Sequence, residues 1–100
     1  MSHIFVGDYG WPIPGAIRLM LDGQPYDATG DSVTFLYCKP DGSRVQRICT
    51  IDGDALIYEA EEGLIDQPGY WKLRIVVITP AQPPVAARRR QALVRFPVYP

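Results

Sequence analysis

Four groups of residues in this 100-residue chain have types that could do chemistry: His3, the thiols of Cys38 and Cys49, the carboxylates of Asp52-Gly53-Asp54, and the run Arg88-Arg89-Arg90. A histidine works as a general base only when a rigid element aims it, and His3 stands near a terminus, where chains fray. It is the only histidine, so Cys38 and Cys49 lack partners for a zinc set. Asp52 and Asp54 flank a glycine but bring few of the regularly spaced oxygen donors a calcium loop needs, and a turn accounts for them better. No nucleophile elbow or phosphate-cradling glycine loop occurs. The expectation is a non-enzymatic protein without cofactor or metal.

The cysteines invite a disulfide, and strand geometry argues against one. With Pro40 to Ser43 as a hairpin turn, Lys39 faces Arg44, Cys38 faces Val45 and Cys49 faces Thr34. The thiols then stand about four residues apart along the ladder, roughly 13 Å at ~3.3 Å per residue, beyond the ~7 Å bridging limit. Two reduced, partly buried thiols are expected.

Arg88, Arg89 and Arg90 fall in a stretch, 79–91, expected to be a long loop rich in proline and arginine. Long loops in compact domains are often functional. The bland reading of the run is a solvated loop. The sharper one is a contact with an acidic protein surface, because guanidinium pairs carboxylate in bidentate fashion. Glu59, Glu61 and Glu62 of an adjacent copy would suit, and such contacts build a trimer or ring. Net charge is −1, and no broad basic surface with interleaved aromatics is visible, so nucleic acid is not an expected partner.

A second candidate contact lies in the N-terminal arm, residues 1–14. Tyr9, Trp11 and Ile13 alternate there with Gly10, Pro12 and Pro14. Proline stiffens the segment and biases it toward extended backbone. The arm either caps one open end of the fold or anchors a neighbour, as Tyr and Trp do in interface hot spots.

The elements that must position these residues are strands. Asp22-Gly23 and Asp41-Gly42 supply hairpin turn chemistry. Ala16 to Leu21 is strand-like, Val33 to Lys39 and Arg44 to Ile51 read as a central hairpin, and Ala55 to Glu59 is a further strand. Tyr70 to Thr79 is the strongest. Trp71, Leu73, Ile75 and Val77 share one face, and Tyr70, Lys72, Arg74 and Val76 share the other. Residues 61–69 are read as a connection with room for a short helical turn, and Ala92 to Tyr99 as the last strand. About seven short strands with regular turns predict an all-β, immunoglobulin-like antiparallel sandwich in a single domain, 1–100. Hydrophobic residues make up 47% of the chain, enough for one core of this size. The longest apolar run, Ile75 to Ile78, is far too short for a membrane span, and no basic-then-apolar leader is visible.

Three elements resemble a known family. Asp22-Gly23-Gln24-Pro25-Tyr26-Asp27-Ala28-Thr29-Gly30 is similar to a recurring Asp-Gly-x-Pro element that closes on Leu-Thr-Gly, with Ala28 in place of the usual Leu. Val33-Thr34-Phe35 leading to Lys39-Pro40-Asp41-Gly42-Ser43 is similar to a strand ending in Lys-Pro-Asp-Gly-Thr. Asp66-Gln67-Pro68-Gly69-Tyr70-Trp71-Lys72-Leu73 is similar to a Gly-led step into the penultimate strand. In this order, over roughly residues 14–80, they resemble the immunoglobulin-like domain at the N-terminus of bacteriophage baseplate upper proteins. The resemblance implies a structural virion protein, made in the host cytoplasm, with other virion proteins as partners. It would dock tail-fibre, baseplate or receptor-binding components through protein contacts and carry no catalytic residues. A capsid decoration protein shares the same features. From a different class, a carbohydrate-binding module would use Tyr9, Trp11, Tyr26 or Tyr37 as a stacking platform.

Overall fold

A computed structural model describes residues 3–100. Nine antiparallel strands make up the fold: β1 (Ile17–Arg18), β2 (Met20–Leu21), β3 (Gln24–Pro25), β4 (Ser32–Cys38), β5 (Arg44–Ile48), β6 (Thr50–Asp52), β7 (Ala55–Ile57), β8 (Gly69–Thr79) and β9 (Arg88–Val98). β5-β4-β8-β9 form one sheet, β1-β7-β6 a second, and β2-β3 a small hairpin. The orders match the C′-C-F-G and B-E-D sheets of immunoglobulin-like sandwiches. The all-β sandwich expected from the sequence is what forms.

The alternation in β8 makes the core. Trp71, Leu73, Ile75 and Val77 are all buried, and each meets an apolar partner from a neighbouring strand. Val33 pairs with Val77, Phe35 with Ile75 and Tyr37 with Leu73, while Trp71 pairs with Phe96 on β9. The Trp71 and Phe96 rings stack with centroids 6.1 Å apart, and the indole N–H donates to the Gln67 carbonyl at 3.0 Å. Leu56, Leu64 and Ile65 close the core from the other layer and the β7–β8 connection. Fully burying side chains of this size contributes about 2–3 kcal/mol each.

Two turns set the registers. At β2–β3, Asp22 and Gly23 both take positive φ, 53° and 78°, the pair of angles a two-residue hairpin turn requires. Between β4 and β5 the turn is one residue longer than expected. Cys38 pairs with Arg44 and Thr34 with Ile48, so Lys39 belongs to the turn. Its N–H donates to the Ser43 carbonyl at 2.8 Å, and Gly42 N–H donates back to Lys39 at 3.0 Å. The Asp41 carboxylate fixes the loop by accepting from the Ser43 amide and hydroxyl. Both cysteines are free thiols. Continuing this register sets Cys49 opposite Val33, whose carbonyl its Sγ–H meets at 3.8 Å. Five residue steps, about 17 Å, separate the thiols along the ladder.

Several boundaries differ from expectation for identifiable reasons. The run Arg44 to Ile51 breaks at Cys49, where the chain leaves one sheet and enters the other as β6. Ala16 to Leu21 divides likewise into β1, bound to β7, and β2, bound to β3. In residues 61–69 the chain forms a turn, with Leu64 N–H donating to the Glu61 carbonyl at 3.2 Å, and no helix. The loop expected over 79–91 spans only 80–87. β8 keeps its ladder through Thr79, and β9 pairs with it from Arg88 onward. The three arginines are therefore strand residues. Their long side chains read as loop polarity because little covers the sheet at that end: Arg88 and Arg89 are exposed, and Arg90 meets the Tyr26 ring.

The N-terminal segment is bound into the sandwich. Ile4 is buried, and the backbones of Ile4 and Val6 exchange bonds with Tyr99 beyond the end of β9. Gly10 N–H donates to the Ala60 carbonyl, and Ala60 N–H donates to that of Trp11.

Candidate functional site

Of the sequence-predicted contact residues, Ile13 is a correction. It is 1% exposed, and its carbonyl accepts the Tyr37 hydroxyl at 2.8 Å. The bridge between Pro12 and Glu59 turns Ile13 inward, where it seals the core and is out of reach of a partner. Trp11 is half-buried against the same core. Tyr9 is exposed. The arm thus offers one open aromatic ring and one partly open one.

The arginine run divides between the two faces of β9, because successive strand residues point to opposite sides. Arg89 pairs with Ile78 on the outward face. Arg90 lies on the inward side, its guanidinium 5.2 Å from the centre of the Tyr26 ring, a cation–π arrangement. The Tyr26 hydroxyl donates to the Asp31 carboxylate and lies 3.2 Å from the Thr79 Oγ1. Arg90 is therefore engaged within its own chain, and Arg88 and Arg89 remain exposed.

The acidic patch expected to receive these arginines is also altered. Glu61 accepts from Arg47 at 2.7 Å and from the Tyr58 hydroxyl at 2.8 Å. Burial would raise its carboxyl, but those two bonds outweigh burial and hold it below the usual carboxylate range. Glu59 and Glu62 stay exposed. Asp54 of the Asp-Gly-Asp turn is held by Arg18 at 3.0 Å. No three His, Cys, Asp or Glu side chains converge on one point among the described residues. His3 packs edge-on against Tyr99, ring centroids 5.1 Å apart.

Of the four rings expected to offer a glycan-stacking platform, two are closed off, while Tyr9 is open and Trp11 partly open. Tyr37 has no exposed surface, burial pushes its phenol well above the usual range, and Tyr26 lies beneath Arg90. A stacking ligand could reach neither face of Tyr37.

What sequence reading passed over is the outward face of the four-stranded sheet. Register places Arg44, Cys38, Lys72 and Arg95 in one row across all four strands. The next row holds Gln46, Leu36, Arg74 and Leu93. Tyr70, Ile48, Ile78 and Leu93 on the same face are exposed. Arginine and large apolar or aromatic groups on one flat surface are the composition of protein interfaces. The alternation of β8 already separated Tyr70, Lys72 and Arg74 from the core. The contributions of β5 and β9 needed the strand order.

Comparison with protein-family models, curated proteins and solved structures finds no match.

Proposed function

We propose that this chain is a structural component of a bacteriophage particle, set at the tail, baseplate or fibre-attachment region, where it docks other virion proteins by surface contact. The observation that carries this reading is where the three family-like elements fall in the fold. Asp22 to Gly30 supplies the turn of the β2–β3 hairpin, β3 itself and the lead into β4. Val33 to Phe35 lies in β4, with Lys39 to Ser43 as its closing turn, and Asp66 to Leu73 is the entry into β8. All three shape a sandwich of C′-C-F-G and B-E-D order, the architecture the resemblance implies. The sandwich acts as a rigid spacer, and the contacts come from its basic sheet and from Tyr9 and Trp11. Ala28, in place of the usual Leu, is fully buried, and its N–H donates to the Gly53 carbonyl at 2.9 Å.

The test is composition of purified particles. Virions from cells that make this chain should contain it at a fixed ratio to the tail proteins, and antibody raised against it should label one end. Label over the whole shell would favour capsid decoration. A chain absent from purified particles would overturn the proposal.

A further inference from the structure

Charge in this molecule is segregated by layer. Strands β4, β5, β8 and β9 hold eight of the ten lysines and arginines and none of the eleven aspartates and glutamates. Every carboxylate lies in the other layer or in the connections. The two cations outside the sheet, Arg18 and Lys39, are held by Asp54 and Asp66, and Arg47 is held by Glu61. The remaining sheet cations form no ion pair among the described residues.

Five of these unpaired cations, Arg44, Lys72, Arg74, Arg89 and Arg95, project from the outward face. Lys72 and Arg95 stand directly opposite each other on neighbouring strands, where like charges destabilise an antiparallel pair. An anionic surface laid over them would relieve that repulsion. The chain carries such a surface itself. On the outer side of the three-stranded layer, Asp52 of β6 and Glu59 just past β7 are exposed, with Ile57 exposed between them in sequence. Net charge is only −1, so copies do not repel as wholes, a condition that favours association.

We infer that the outward face of the four-stranded sheet is a self-association surface, and that it docks on the Asp52 and Glu59 side of a second copy. Arginines meet carboxylates, and Leu93 and Tyr70 supply apolar area near Ile57. The contact joins two different faces, so it repeats from copy to copy, as a ring if the rotation closes and as a filament if it does not. It stands on charge placement alone and holds whether or not the chain belongs to a virion.

Two charge-reversed variants test it, both altered at exposed positions: Lys72→Glu with Arg95→Glu, and Asp52→Arg with Glu59→Arg. Circular dichroism and thermal unfolding first establish that each is folded. By analytical ultracentrifugation at about 50 mM salt, each variant alone should be a monomer. The first replaces two of the five cations of its sheet face with carboxylates and loses most of that face's charge, and the second sets cations against cations. Only the mixture keeps one intact pair of faces. An equimolar mixture should form a 1:1 complex that about 0.5 M salt dissolves, where screening shortens the reach of charge to a few ångströms. The milder Lys72→Gln with Arg95→Gln should weaken wild-type association at least tenfold. A mixture that stays monomeric overturns the inference, as does wild-type association that neither pair of substitutions alters. A wild-type monomer that instead retains a single-stranded oligonucleotide at low salt also overturns it, and assigns the face to phosphate.

Discussion

Trp71 is fully buried, stacks on Phe96 and satisfies its indole N–H on Gln67. Its removal takes away core volume and a hydrogen bond together. Trp71→Ala should destabilise the fold by about 3–5 kcal/mol in urea unfolding. Tyr37→Phe is subtler, since the ring stays and only the bond to the Ile13 carbonyl is lost. The cost should be about 1–3 kcal/mol, the price of a buried acceptor left alone. Cys49 is buried, and burial pushes its thiol up, while Cys38 is half-exposed. At pH 8 an alkylating reagent should modify Cys38 readily and Cys49 only as the chain unfolds, a rate difference of at least tenfold by mass spectrometry. Glu61 supplies a pH dependence. A carboxyl held lower in the folded than in the unfolded state stabilises above its unfolded value of about 4.3, and that stability is lost as pH falls through the folded value. The thermal midpoint should therefore decline below about pH 4.5. Glu61→Gln should lower the midpoint at neutral pH and make the acid decline shallower.

Among the elements, β8 was the most legible, because its period-two pattern runs its full length and both faces have distinct composition. Hairpin turns at Asp22-Gly23 and Asp41-Gly42 were legible from the residues that tolerate their angles. The β4–β5 register departs by one residue from the expected one because Lys39 belongs to the turn. Side-chain type does not distinguish it there, and the bond to Ser43 that places it in the turn is local backbone geometry. β9 begins before the expected Ala92, in residues that bury almost nothing. Its ladder to β8 depends on pairing, which composition does not encode. Ile13 sits among prolines and aromatics, the company of a contact residue, yet its burial is decided by Ala60 and Tyr37, distant in sequence. Gly69 opens β8 with φ of 122°, and a Cβ there would come 3.0 Å from the Pro40 side chain. Gly69→Ala should cost about 1–3 kcal/mol, measured as a lower denaturant midpoint with an unchanged slope.

For the whole molecule, the governing feature is that nearly all its positive charge sits in one layer, while its acids lie in the other layer and the loops. That division was absent from the net charge and from the local run at 88–90. It emerges only when β4, β5, β8 and β9 are recognised as one sheet. It moves the candidate contact from a loop to a flat face, and from three arginines to a field of cations with apolar groups among them. It also makes ionic strength the natural control variable, since exposed charges separated by more than about 10 Å are largely screened at 0.1 M salt. The direct measurement is the solution mass of the wild-type chain by light scattering, over a concentration series at low and high salt. The account predicts a mass above that of the 11.2 kDa monomer at low salt, rising with concentration and returning to the monomer as salt increases. A monomer at every concentration and salt would contradict it.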